Sequence, residues 1–360
     1  MNICFFTGNM NNGGGTEHMT QLLANQLSLN ENHKIFVLSK SLRKKETFFK
    51  LSENVSLDFL DNAPYHGVLT LFKDIFLLRK YIRKNKIDVL INVDILLGSF
   101  SLPLVVLAPK LKQIYWEHFS SKYNIGSKKT ALLRKWALRF GKAYVALTPQ
   151  DVLEFEGLIS KHCRVTNIPN ICSTQVVEGN YNPETKKIVS LGHLNNVKGF
   201  DMAALVAKKV FLKHPDWTWE IYGDGPEEEK IRKIVLENNL QNNFILKGRT
   251  NDLAAVYKDA ALMVLTSRTE GFGLVLIEAQ AHNLPTVAFD VPFGPRNIIT
   301  NGQNGYLIEP FDLDQMASKI CELIENPDVL KEFSQNASKD VWKYSAENVA
   351  TRWENLLGEL

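Results

Sequence analysis

The residues with the chemistry in this chain stand close together in one stretch. In S-R-T-E-G-F-G-L-V-L-I-E-A-Q-A (Ser267–Ala281), Glu270 precedes Gly271 and Gly273, and Glu278 follows eight positions after the first carboxylate. The apolar run Leu262–Leu265 predicts a buried strand in front, and Leu274–Ala281 predicts a helix behind. Gly271, Phe272 and Gly273 therefore occupy a strand-to-helix turn. Backbone N–H groups and the positive end of the helix receive anions there, phosphate above all. Eight residues are slightly more than two helical turns, so Glu278 is able to share a face with the loop that Glu270 closes. An anion site with two carboxylates left for hydroxyl groups suits a nucleotide-sugar.

A second group lies upstream. In L-G-H-L-N-N-V-K-G-F-D (Leu191–Asp201), Gly192 ends a predicted strand, and His193 and Lys198 precede a predicted helix. A cation there would neutralise a diphosphate leaving group, and charge-assisted contacts of this kind contribute roughly 1.5–3 kcal/mol each. The plain alternative for Lys198 is a solvated surface lysine. Y-G-D-G-P-E, with Gly223, either lines a nucleotide pocket or is a tight turn. Near the N-terminus, the strand Ile3–Thr7 runs into G-N-M-N-N-G-G-G-T-E and a helix over Met19–Leu29 that Thr16 is placed to cap. This loop has neither the G-x-G-x-x-G spacing of dinucleotide folds nor a G-x-x-x-x-G-K-[ST] motif, and a ligand-free turn explains Gly13–Gly15 as well. Trp116-Glu117-His118 closes another strand, and open α/β sheets place ligands at such ends. His118 is a candidate on that ground, although a lone histidine is more often structural. The D-x-D at Asp312–Asp314 precedes a helical pattern and reads as a cap, not a metal site.

The elements that must position these groups alternate. Predicted strands at Lys34–Ser39, Val55–Leu60, Asp88–Val93, Gln113–Trp116 and Ala143–Leu147 are separated by helical patterns. Periodicity stops around R-V-T-N-I-P-N, which places a linker at about 170–184. A second alternating series then runs from Lys187–Leu191 to Thr286–Phe289, and a final helix covers Ser345–Leu357. The pattern predicts an α/β protein with two doubly wound parallel-sheet domains, residues 1–172 and 184–342, and a C-terminal segment 343–360 that packs back on the first. With 360 residues, 45% apolar and 22% charged, the composition is that of an ordinary globular protein. The four cysteines form no C-x-x-C pair, which points to a reducing, cytoplasmic setting without disulfides. No signal peptide or membrane-spanning run is evident.

Charge is uneven: residues 1–180 carry 23 Lys and Arg against 14 Asp and Glu, and residues 181–360 carry 19 against 25. The first half therefore suits an anionic partner, with an uneven solvated surface as the plain alternative. Two basic helical segments lie in it. Thr70–Arg83 is read as an ordinary helix with its apolar stripe in the core. Thr130–Phe140, with Trp136 beside its basic cluster, is read as the membrane-facing one.

The succession G-G-T-E, L-G-x-L-x-x-x-K-G-F-D, G-D-G-P-E, S-R-T-E-G-F-G-L-V-L-I-E-A and F-G-P-R-x-I-I resembles the family 4 retaining glycosyltransferases. That resemblance covers nearly the whole chain and is strongest over residues 187–310. It implies the GT-B fold, two Rossmann-like domains facing across a cleft. It implies that Glu270 contacts the donor sugar and Glu278 the ribose. Backbone amides of Phe272 and Gly273 would meet sugar and phosphates, with Gly192, Gly223, Gly271 and Leu274 lining the same donor site. Lys198 would hold the diphosphate, Gly14 and Gly15 would close over the phosphates, and His118 would lie near the reacting centre. The family usually has arginine where His193 stands; a protonated histidine, Arg268 or Arg296 would have to compensate. Asn297 replaces a common glutamate and is given no role.

The implied reaction is transfer of a hexose or N-acetylhexosamine, with retention, from a UDP-sugar to a glycan or lipid-linked acceptor in surface polysaccharide synthesis. Neither cofactor nor metal is required, no nucleic acid is implied, and the enzyme would sit in the cytoplasm or peripherally on the inner membrane face. A sugar-nucleotide epimerase or phosphorylase of the same fold is the near alternative. An NAD-dependent oxidoreductase is a more distant one, disfavoured by the missing G-x-G-x-x-G, and a non-catalytic sugar-binding protein is a further one.

Overall fold

Short apolar runs bounded by polar turns become strands, and two separate sheets collect them. In a computed structural model, the structure describes residues 1–42, 44, 46–61, 67–118, 128–155, 159–177, 179 and 181–360. The chain divides into two units, Met1–Ile171 with Tyr344–Leu360, and Cys172–Lys343.

The first unit contains β1 (Asn2–Thr7), β2 (Lys34–Ser39), β3 (Val55–Phe59), β4 (Val89–Val93), β5 (Lys112–Trp116), β6 (Ala143–Ala146) and β7 (Arg164–Asn167). They pair in the order β3-β2-β1-β4-β5-β6-β7, all parallel. The second unit contains β8 (Lys187–Leu191), β9 (Thr218–Tyr222), β10 (Phe244–Gly248), β11 (Leu262–Leu265), β12 (Thr286–Phe289) and β13 (Gly305–Ile308). Its order is β10-β9-β8-β11-β12-β13, again parallel. Both sheets are doubly wound, and strand order reverses between β1 and β4 and between β8 and β11. Loops at the carboxyl ends of those strand pairs border the crevice in which this architecture binds ligands.

Central strands such as V-L-I-N-V of β4 and L-M-V-L of β11 are buried at every residue, because helices cover both faces. In the first unit, Ile75, Leu78 and Ile82 of the Gly67–Lys84 helix pack on Cys4, Phe6 and Leu90. In the second, Val206 and Val210 of the Phe200–Lys213 helix share a core with Met316 and Ile320 of the Leu313–Glu325 helix. Asp312 caps the latter by accepting from the Gln315 N–H at 2.8 Å. The last helix, Ala346–Glu359, is capped by Ser345 and buries Val349, Trp353, Leu356 and Leu357 in the first unit. Trp353 is fully buried and meets Trp116 edge-on, with centroids 5.2 Å apart. All four cysteines are buried and unbridged.

Three expectations change. The stretch R-V-T-N-I-P-N, where periodicity stops in the sequence, begins with β7. This is a sheet-edge strand with Arg164 exposed and its other residues half-buried, so it has no apolar run to announce it. Strand β13 is likewise unannounced, since only two of its four residues are buried. Thr16 is not the cap: the helix spans Gly15–Leu27 with Gly14 in the capping position, and Thr16 lies inside it.

Candidate active site

The loops after β8 and β11 are tied to each other before any side chain reaches a ligand. The Arg268 N–H donates to the Val197 carbonyl at 2.7 Å, and Thr266 Oγ1 donates to the Lys198 carbonyl at 3.2 Å. The Arg268 guanidinium adds a fork to Asp201, at 2.9 and 2.8 Å, and a bond to the Asn196 carbonyl at 2.7 Å. This lacing brings together two residues 72 apart in sequence: Lys198 Nζ donates to Glu270 Oε1 at 2.7 Å. Ser267 Oγ donates to the same oxygen at 2.6 Å. Among the described residues, Glu270 Oε2 has no hydrogen-bond partner, so a nearly buried carboxylate keeps one acceptor for an incoming hydroxyl.

Two glycines make the shape attainable. Gly273 has φ +93° at the N-cap of the Leu274–Ala281 helix, a left-handed value that a larger residue would hold under strain. No side chain caps that helix, and in its first turn the Leu276 N–H donates to the Gly273 carbonyl at 2.9 Å. Gly223 lies so close to the β8 loop that a Cβ there would stand 1.9 Å from the Gly192 carbonyl oxygen. On the β12 side, a Cβ on Gly294 would stand 2.8 Å from Glu270 Cβ, so that loop packs directly against the carboxylate.

Glu278 is nearly buried on its helix and is already held. Ser173 Oγ donates to Oε1 at 2.5 Å, and the Tyr257 hydroxyl donates to Oε2 at 3.3 Å. Burial pushes its carboxyl above the usual range, against the pull of the Ser173 and Tyr257 hydroxyls. A carboxyl raised in the folded state contributes stability below its unfolded pKa and loses it as pH rises through the folded value. Glu278→Gln is therefore expected to raise Tm at pH 8, with the gain shrinking toward pH 4, as read by thermal unfolding across pH.

His193 is exposed. Its Nδ1 stands 3.7 Å from Asp224 Oδ1, which also accepts from Arg249 Nε at 2.6 Å. The Arg249 guanidinium holds the Asp224 carboxyl below the usual carboxylate range. Neither arginine expected to stand in for a missing cation has its fork open. Arg268 is engaged by Asp201, and Arg296 by Asp290 at 2.9 and 2.8 Å.

Within the first unit, Gly14 caps and Gly15 opens the helix that follows the β1 loop, and Gly13 packs under the Phe48 ring. A cavity of about 580 Å³ opens beside them, lined by Asn9, Asn12 and Phe48 among others. His118 follows β5, half-buried, with its ring 4.3 Å from that of Trp116. Burial pushes its imidazole down to about 3, so the ring is neutral, and among the described residues its Nε2 has no hydrogen-bond partner. The preceding Glu117 is anchored: Arg134 Nη2 donates to Oε2 at 2.9 Å and the Tyr144 hydroxyl at 2.7 Å.

Sequence reading passed over four of these participants. Ser173 and Tyr257 reach Glu278 from distant segments, Asp201 ends the K-G-F-D motif without a role of its own, and Asp94 is a single acid without spacing. Asp94 had a weak signal, an acid directly after the apolar run of β4. It stands beside the strand-order reversal with φ +101°, and its side chain accepts from the Leu96 N–H at 2.8 Å.

The model of glycosyl transferases group 1 matches residues 174–340, the unit that carries Lys198, Glu270 and Glu278. An uncharacterized glycosyltransferase of Haemophilus influenzae is 30% identical over 99% of both chains. The poly(ribitol-phosphate) alpha-N-acetylglucosaminyltransferase of Staphylococcus aureus is 38% identical over 177 residues, 48% of this chain and 36% of that one. The structure of a mutant S. aureus TarM with fondaparinux, alpha-GlcNAc-glycerol and UDP is 26% identical, covers 79% of this chain and 58% of that one, and has a TM-score of 0.69. A second TarM structure aligns over 99% of this chain and 98% of its own, with a TM-score of 0.84 at 18% identity. With two Rossmann-like parallel sheets of the GT-B type and this relationship along its whole length, the chain belongs to the group 1 glycosyltransferases.

Proposed function

We propose that this enzyme is a retaining glycosyltransferase of family 4 that moves a hexose or N-acetylhexosamine from a UDP-sugar to a glycan or lipid-linked acceptor of a surface polymer. The observation that carries the proposal is the Lys198–Glu270 contact at the β8/β11 reversal. In this reading the Lys198 ammonium serves the departing diphosphate, and the carboxylate beside it keeps one oxygen for a sugar hydroxyl. Glu278, on the helix behind the turn, takes the ribose, and the turn Gly271–Leu274 gives its N–H groups to the phosphates, with Gly192 and Gly223 lining the site. Within the first unit, Gly14, Gly15 and His118 are the candidate substrate contacts. A neutral His118 acts there through hydrogen bonding, not as a cation. The UDP in the TarM complex and the polymer named for the second relative support the donor and acceptor classes.

No group in this scheme needs to accept the sugar covalently. The acceptor hydroxyl attacks on the face from which the diphosphate leaves, and catalysis consists of positioning plus stabilisation of the leaving charge. Because Glu270 and Glu278 bind the donor, the paired-carboxylate chemistry of glycoside hydrolases does not operate.

The test is a thermal-shift screen of nucleotide-sugars followed by NMR of the product formed from the best ligand. A bound donor stabilises the native state by about 2.7 kcal/mol at a hundredfold excess over Kd. A UDP-sugar is expected to raise Tm, and the transferred sugar is expected to keep the donor's anomeric configuration. No shift with any UDP compound but a shift with another nucleotide overturns the donor. An inverted product overturns retention, and conversion of a UDP-sugar without acceptor points to epimerisation instead.

A further inference from the structure

The Gly67–Lys84 helix has two apolar faces where its place in the fold requires one. The inner face carries Ile75, Leu78 and Ile82 into the core. On the opposite face, Leu69, Phe72 and Phe76 recur at i, i+3 and i+7 and are 85%, 65% and 63% exposed. A helix lying on a sheet buries one stripe and turns polar residues outward, so a second, exposed apolar row is a candidate contact surface. Val106, 80% exposed on the Leu104–Leu107 helix, extends the row, and Arg79 Nε ties that helix in by donating to the Leu107 carbonyl at 3.1 Å.

The Lys128–Phe140 helix repeats the arrangement. Thr130, Leu133 and Ala137 point inward, whereas Leu132, Trp136 and Phe140 are each about half exposed at i, i+4 and i+8. The short Gly98–Ser101 helix touches both long helices, so the two rows belong to one layer on one face of the β3-to-β7 sheet.

Charge identifies what covers this layer. The Lys128–Phe140 helix contains no acid, and the only acid in the Gly67–Lys84 helix, Asp74, is fully buried against Lys40 at 3.2 Å. Beyond Lys73, which pairs with Asp61 at 2.7 Å, the exposed Lys80, Arg83 and Lys84 on the first helix have no acidic partner among the described residues. Neither do Lys128, Lys129 and Lys135 on the second. Exposed aliphatic and aromatic side chains interleaved with unpaired cations match a surface that is apolar beneath and anionic above.

We propose that this helical layer is the face on which the enzyme lies against an anionic lipid bilayer, with Leu69, Phe72 and Phe76 inserted at the level of the headgroups and the cations on phosphates. The Gly67–Lys84 helix contributes as much as the helix bearing Trp136, although its sequence alone reads as a core helix. Among the described residues no helix is long and apolar enough to cross a membrane, so the attachment is peripheral. It does not depend on the donor assignment.

The test is co-sedimentation of the full chain with vesicles of phosphatidylcholine alone and of phosphatidylcholine mixed with phosphatidylglycerol, at low and high salt. Binding is expected only to the mixed vesicles and is expected to weaken with salt. The double change Phe72→Ser, Phe76→Ser and the double change Lys80→Glu, Arg83→Glu are each expected to lower binding at least about tenfold while leaving Tm unchanged. Leu212→Ser, at an equally exposed site on the second unit, is expected to bind like the wild type. No binding to mixed vesicles, equal binding to both kinds, or wild-type binding by both double variants overturns the proposal. So does a wild-type dimer that Phe72→Ser, Phe76→Ser dissociates, because a second copy would then cover the rows.

Discussion

Replacing Lys198 by alanine is expected to lower kcat by about 10²–10³, the usual cost of removing one preorganised group that stabilises charge developing in a transition state. The ammonium is the nearest cation to Glu270, at 2.7 Å, and the arginines that could substitute for it are committed to Asp201 and Asp290. Among the described residues the change also leaves the Glu270 carboxylate, 8% exposed, with only the Ser267 hydroxyl as partner. A buried carboxylate stripped of its counter-charge costs stability, so Tm should fall together with activity. Glu270→Gln separates the two effects. It removes the charge that needs Lys198 while keeping an amide able to meet a sugar hydroxyl, so its loss of activity should exceed its loss of Tm. Steady-state rates at saturating donor, with melting curves of each variant, decide the matter. If Lys198→Ala keeps its rate within about threefold, the cation is not part of the leaving-group site.

Trp353→Ala is expected to destabilise the first unit by about 3–5 kcal/mol, the range for truncating a fully buried tryptophan to alanine. Trp353 is fully buried, and its edge-on contact with Trp116 joins the last helix to β5. Trp116 also packs against His118, so the damage should reach past stability. With donor saturating at a temperature where the variant is still folded, kcat is expected to fall and, under the proposed function, nucleotide binding is expected to persist. Urea titration followed by tryptophan fluorescence measures the first effect, and UDP titration measures the second. Conservative replacement by phenylalanine should recover most of the stability, because much of the apolar area returns.

Most of the fold is legible in the sequence because its central strands are fully buried and therefore uniformly apolar. The runs at Lys34–Ser39, Lys187–Leu191 and Thr286–Phe289 have the same bounds in sequence and structure. Two sheet edges are not legible: β7 carries Arg164, Thr166 and Asn167, and β13 is a short G-Y-L-I run buried at only two residues, whereas the opposite edge β3 is legible as Val55–Leu60. Helix Gly67–Lys84 shows a different limit. Its periodicity reads correctly as a core stripe, but periodicity alone does not reveal a second apolar row on the opposite side. At the site, the groups within one motif or one loop can be found by spacing, as with Glu270 and Glu278. Their partners cannot. Ser173 stands 105 residues before Glu278, and the Lys198–Glu270 contact depends on how β8 and β11 neighbour each other in the sheet.

The last helix belongs to the first unit although the whole of the second unit lies between them in the chain. During synthesis from the N-terminus, residues 1–171 leave the ribosome without Trp353, and β5 must wait with Trp116 uncovered. At roughly 5–20 residues per second, the missing piece arrives on the order of ten seconds or more later. The second unit, contiguous from Cys172 to Lys343, has all of its own strands before that moment and is able to fold first. Newborn chains would thus pass through a state in which the second unit is finished and the first is still adhesive, making chaperone dependence a property of the N-terminal half.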